Sequence, residues 1–417
     1  MDRRSHNGRY NTNRISISSS SGGGGSGSGN GSETAVSATS IRPLDLPILD
    51  SLEMLTLLGP LQDSLSYLLL NRIPMLRTLW IAFGDSTVPT FFPSSCDDNN
   101  SNNNNSLPQT LRDGCPNLVD LIVEGSISDN HLAWMLAKAS ARGWRTLIFK
   151  SENNILGLES VYAILEHAAS TLETIRFGNS GPSFQSHHVQ ELLCTASNLV
   201  RFVGLVGDRT EEKDVELKVE EVFGGGPGGR RNLKNENWAC LALEEFRCKI
   251  TGIPRPDVKT RTNGRPLTDH PLHSDTLYTL EDSYRIQRQV YTQLGRLYKL
   301  KYLSLGSDCF YTDKSRYDID KFLRAERERE GQYYSTTFVQ AGFQDECLSM
   351  TLASGLELMG GLKELRMLEV SGMRIAGEFW EESEEKKWIK TAWPKVELVC
   401  SSGSRRECGA YWKQFGY

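Results

Sequence analysis

Apolar residues return along this chain at one recurring spacing, L-x-x-L followed two residues later by another apolar residue. In "CPNLVDLIVEGS" (115–126) the anchors are Leu118, Leu121 and Val123. Leu52, Leu55 and Leu57 form an earlier copy, and Leu76 and Leu79 carry the next in "MLRTLWIAFG". Trp144, Leu147 and Phe149 follow, then Leu172, Ile175 and Phe177, then Leu199 and Phe202. Leu243 and Phe246, Leu300, Leu303 and Leu305, and Leu365, Leu368 and Val370 continue the series, with a degenerate last copy around Val396 and Leu398. The central anchors lie 26 residues apart from Leu121 to Leu147, 28 from there to Ile175 and 27 from there to Phe202. Periods of about 20–29 residues with this spacing belong to leucine-rich repeats.

Between copies the periodicity changes from strand-like to helical. "DNHLAWMLAKASARG" (129–143) puts Leu132, Met135, Leu136 and Ala139 on one helical face and ends at Gly143. "LESVYAILEHAAS" presents Val161, Ile164 and Leu165, and "SHHVQELLCTASN" presents Val189, Leu192 and Leu193 behind Ser186 as an expected N-cap. "SYRIQRQVYTQLGRL" repeats the pattern with Ile286, Val290 and Leu294. Each unit therefore reads as strand, turn marked by glycine (Gly125, Gly178, Gly306 or Gly372), and helix. One such unit cannot cover its own apolar edge, so neighbours must stack. The expected fold is α/β: a leucine-rich-repeat solenoid of about 9–10 divergent repeats, with a concave parallel sheet and convex helices. The positions three after the last strand anchor, which hold Asn or Cys in many such repeats, are Ser126, Glu152, Ser180 and Met373 here. That marks a divergent, helix-rich variant.

Composition sets the limits of the array. Residues 1–40 are dominated by Ser, Gly, Asn and Arg and read as a disordered tether, residues 41–400 as the repeat region, and 401–417 as a tail. Low-complexity or charged insertions interrupt the repeats near 97–106, 208–236, 254–282 and 307–340, where the period lengthens. "DKFLRAEREREGQ" inside the last of these has the charge pattern of a short surface helix. Over 417 residues the formal net charge is −5, which gives no general reason to expect a nucleic-acid partner. No apolar run reaches membrane-spanning length, and the first residues lack the apolar core of a secretory signal. The nine cysteines are odd in number, irregular in spacing and free of C-x-x-C, so structural thiols in a reducing compartment, cytoplasm or nucleus, are expected.

"LEEFRCKITGIPRPD" and the later "TLASGLELMGGLKELRMLEVSG" with "WIKTAWPKVELV" resemble the leucine-rich-repeat regions of fungal F-box-type proteins, a group expanded in moulds related to Mortierella. The likeness spans roughly 41–400. It implies a substrate receptor of a cullin–RING ubiquitin ligase that reaches a Skp-type adaptor through an N-terminal F-box. This chain departs from that pattern where the F-box would stand: the segment containing Leu46-Pro47 reads as the first repeat.

No sequence feature assembles catalytic chemistry. His187-His188 lacks a second pair at metal-ligand spacing, and His270 and His273 lie in a Pro-rich insertion. The glycine runs at 22–25 and 224–229 lack the Lys-Ser or Lys-Thr of a phosphate loop. Neither a nucleophile motif nor a cofactor or metal site is expected, and Trp380 and Trp388 are expected to pack at the array's end. The informative residues stand between the strand anchors, where alternation turns them to the concave side. They are Trp80, Ile122, Ile148, Arg176, Val203, Arg247, Ser304 and Glu369, with Glu124, Lys150 and Lys249 two positions further along three strands. Arg176, Arg247, Lys150 and Lys249 would make the middle of that wall basic and suit an acidic or phosphorylated protein segment. The functional expectation is a non-catalytic protein-recognition module, with three forms open: a ubiquitin-ligase receptor, a free-standing scaffold, and a regulator acting on an enzyme such as a small GTPase.

Overall fold

The computed structural model of the chain describes residues 14–18, 48–58, 70–82, 107–125, 127–150, 156–177, 184–204, 215–219, 237–259, 274–275, 277–305, 346–370, 373 and 383–399. Within these, an eleven-stranded parallel sheet runs almost in chain order. Its strands are β1 (Arg14–Ser18), β2 (Met54–Leu58), β3 (Thr78–Ala82), β4 (Asp120–Glu124), β5 (Thr146–Phe149), β6 (Thr174–Phe177), β7 (Arg201–Val203), β9 (Glu245–Arg247), β11 (Tyr302–Ser304), β12 (Met367–Glu369) and β13 (Glu397–Val399). β8 (Glu216–Lys218) and β10 (Lys249–Thr251) stand apart as a two-stranded parallel sheet. Among the described residues six α-helices accompany them: α1 (Leu107–Gly114), α2 (Asp129–Lys138), α3 (Leu158–Ala163), α4 (Ser186–Thr195), α5 (Leu280–Gly295) and α6 (Glu384–Ala392). The protein is a mixed α/β fold with one large, unclosed parallel sheet.

The central anchor of each copy falls on one row of this sheet. Leu55, Leu79, Leu121, Leu147, Ile175, Phe202, Phe246, Leu303, Leu368 and Leu398 are successive register partners from β2 to β13. From Leu55 to Leu368 each of them is fully buried. They share one apolar cluster with Leu132 and Met135 of α2, Val161 of α3, Leu192 of α4 and Val290 of α5. The helices therefore cover one face of the sheet. The period-2 strand signal and the 3.6-period helix signal meet there because a parallel crossover needs a helix-length connection.

Paired phenylalanines reinforce the middle of the core, with Phe149 stacked on Phe177 at 6.2 Å and Phe202 tilted against Phe246 at 5.6 Å. At the far end Trp388 packs edge-on against Trp393 at 5.1 Å, as expected for the end of the array; Trp380 lies outside the described residues.

The structure corrects several boundaries. A strand, β1, pairs in parallel with β2 inside the segment read as a tether. The 208–236 insertion contains β8, and Val215, Leu217 and Val219 alternate into the core there. The 254–282 insertion begins with a buried stretch in which Arg255, 2 % exposed, holds Asp257 and donates to the Cys347 carbonyl at 3.0 Å. Helix α2 stops at Lys138, ahead of Gly143, and Ser140 Oγ beyond it lies 2.7 Å from the Leu118 carbonyl. Gly143 itself turns the chain at φ +81°, where a side chain would also meet Thr171. The N-cap of α4 is Gln185 rather than Ser186, because the Ser186 hydroxyl joins β8 through the Glu216 carbonyl and the Lys218 amide. The 97–106 segment, the charged run around 320–332 and the turn glycines 178, 306 and 372 lie outside the described residues.

Candidate functional site: the outer face of the sheet

Alternation along each strand sends every second residue away from the helices. On β3 to β6 this builds three parallel rows on the outer face. Thr78, Asp120, Thr146 and Thr174 form a polar row, and Trp80, Ile122, Ile148 and Arg176 a central one. Ala82 and Glu124 begin the third row, which Lys150 continues just beyond β5. The residues of the first two rows are half-buried and Lys150 is exposed, so this part of the face meets solvent.

Each row is cross-braced. Trp80 Nε1–H donates to Glu124 Oε2 at 3.1 Å, and Lys150 Nζ stands 3.9 Å from the centre of the Trp80 ring. The Thr78 hydroxyl donates to Asp120 Oδ2 at 3.3 Å, and Arg77 approaches the same carboxylate at 3.6 Å. Arg145 and Glu173, at the mouths of β5 and β6, pair at 2.8 Å. The strand-start polar row was not singled out by sequence reading. Its signal was available, since Asp120 stands two residues before Ile122 and alternation puts both on one face.

Beyond β6 the expected accessible row closes. Val203, Ser304 and Glu369 occupy the register positions read from the sequence but are buried, and the Arg247 side chain is only 12 % exposed. The charged and polar side chains among them face neighbours within the sheet. Ser304 Oγ donates to Glu369 Oε2 at 2.7 Å, and Arg247 Nε lies 2.6 Å from Glu245 Oε1. Burial pushes the Glu369 carboxyl above its ordinary range, while the Ser304 hydrogen bond and the Arg247 charge act more weakly the other way.

Lys249 leaves the row altogether. The chain passes through Cys248, whose amide donates to the Ser304 carbonyl, into β10, where Lys249 is buried beside Glu216 of β8. A basic wall built from Lys150, Arg176, Arg247 and Lys249 is therefore not formed. Lys150 and Arg176 stay on the half-open part, and Arg247 and Lys249 are taken into the fold.

His188 is also internal: it is fully buried, and its Nδ1 accepts from the Gln185 amide at 3.2 Å in the cap of α4. Cys115 and Cys240 are buried thiols, and burial pushes both up to about 12. Among the described residues, no three His, Cys, Asp or Glu side chains are placed to hold a metal ion, and no helix is long and apolar enough to cross a membrane. No protein-family model matches the chain, and no curated protein is significantly similar to it.

Proposed function

We propose that the chain is a divergent leucine-rich-repeat solenoid and that it recognises another protein, without chemistry of its own, through the outer face of β3 to β6. The observation that carries this reading is the contrast across one sheet. An unbroken buried row from Leu55 to Leu368 is backed, on four neighbouring strands, by the half-open row Trp80, Ile122, Ile148 and Arg176. A half-exposed tryptophan beside two isoleucines, held by polar groups at the rim, is the composition of an interface centre. On this reading the concave contact set is Trp80, Ile122, Glu124, Ile148, Lys150 and Arg176.

Within it, the resemblance to fungal F-box-type repeat proteins favours a receptor that delivers substrates to a cullin–RING ubiquitin ligase. The buried thiols of Cys115 and Cys240 suit the cytoplasm or nucleus. Affinity purification of the full chain tests both levels. Recovery of a Skp-type adaptor with a cullin is expected, together with a client set that disappears when Ile122 and Ile148 are both replaced by Asp. Recovery of clients without adaptor or cullin would leave a free-standing scaffold. Stimulation of GTP hydrolysis by a co-purified small GTPase would instead make it a regulator. Clients unaffected by the double substitution would overturn the assignment of the face.

A further inference from the structure

Lys150 follows β5, two strands from β3, and neighbouring strands lie about 4.8 Å apart. Its ammonium nevertheless stands over the Trp80 ring, so the side chain reaches back across β4. The indole is held by the Glu124 carboxylate at its N–H edge and by the ammonium on its face, among other contacts. These two contacts differ in strength. The hydrogen bond to a carboxylate is charge-assisted, whereas an exposed cation–π contact shifts an equilibrium by less than about tenfold. Lys150 is thus the weakly held, exposed component of a ring that is otherwise locked in place.

Resting on the recognition reading above, we propose that the Lys150–Trp80 contact is a parked state, released by a partner segment that carries a carboxylate next to a large apolar side chain. The carboxylate draws the ammonium off the ring. Arg176 lies diagonally across from Lys150 on the same face, so its positive charge adds to the field that favours an acid group there. The apolar side chain takes the vacated ring face and rests on Ile122 and Ile148. Glu124 keeps the indole oriented throughout. Glu124 and Asp120 on the same face of β4 disfavour a doubly charged phosphate more than a single carboxylate, so the acid is Asp or Glu of a protein segment. The parked lysine gives selectivity as well. A purely apolar segment must expel the ammonium with nothing to receive it, and a basic segment meets it directly.

Selection of a random peptide display library on the immobilised full chain tests this. Enriched peptides are expected to pair Asp or Glu with Leu, Ile, Phe or Trp within two residues. Replacing the acid of a selected peptide by its amide, and Lys150→Ala in the protein, should each weaken binding about tenfold. Combined, they should cost little more than either alone. The Trp80 indole N–H resonance, assigned by its loss in Trp80→Phe, should shift with peptide in the same direction as with Lys150→Ala in the free protein. Peptides that need Trp80 but are indifferent to Lys150, or that prefer phosphoserine or a basic residue, overturn this proposal and leave the face reading standing. Peptides indifferent to Trp80 overturn the face reading too, as does a library that enriches nothing.

Discussion

Glu369 shows how a single carboxyl reports on its surroundings. On the outer side of β12 it is 5 % exposed, with Ser304 as its hydrogen-bond donor and the Arg247 charge nearby. Burial is the leading influence and favours the protonated form, so the folded chain holds that proton more tightly than the unfolded chain does. The stabilising contribution is then complete below the ordinary value of 4.5 and is lost as pH rises through the raised folded value. Glu369→Gln keeps an acceptor for Ser304 and removes the charge. It should stabilise the protein at about pH 8 by on the order of 1 kcal/mol in chemical denaturation, with the advantage fading towards pH 4.5. A variant less stable at every pH would mean that attraction to Arg247 outweighs desolvation. Alternation alone put Glu369 on the outer side in the sequence. Its burial was not legible there, because it depends on Glu245, Arg247 and Ser304 arriving from two other strands.

At the scale of elements, helices are stitched to their neighbours by caps that cross from one repeat to the next. The Asp129 carboxylate at the start of α2 accepts from the Glu159 and Ser160 amides at the start of α3, both at 3.0 Å, and its carbonyl accepts from Ser160 Oγ. A side chain at Gly157 would collide with that carboxylate, so glycine there permits the approach. Asp129→Ala should cost about 1 kcal/mol and speed hydrogen exchange at the Glu159 and Ser160 amides, whereas Asp129→Asn should retain most of the protection. Unchanged exchange at those amides in Asp129→Ala would show that solvent replaces the cap at no cost.

Helix existence was legible from apolar spacing, but such caps were not, since their donors and acceptors lie some 30 residues apart in the chain. The short strand β8 was misread for another reason. "VELKV" alternates as a strand should, yet the charges around it gave the whole segment the composition of a solvated insertion. β1 had still less to announce it, five residues in a Ser- and Gly-rich stretch.

At the scale of the molecule, adjacency in the sheet follows adjacency in the chain, with β7 meeting β9 because β8 pairs elsewhere. The recurring motif made this order readable in advance: the same anchor pattern implies strands in the same register, even where insertions lengthen the period. Damage should then stay near where it is made. Leu147→Ala, in the fully buried row of β5, should cost roughly 2–5 kcal/mol locally. Hydrogen exchange should rise in β4, β5 and β6 before it does in β11 and β12, and equal loss everywhere would indicate one cooperative block. The same ordering bears on force. The first described strand lies at one edge of the large sheet and the last at the other, so tension applied through the two ends of the array runs along the inter-strand hydrogen bonds rather than in shear across them. Loaded in that way, the sheet opens as a zipper, one strand at a time from its edges, and at the C-terminal edge only β13 must peel before the polar group of Glu245, Arg247, Ser304 and Glu369 is reached.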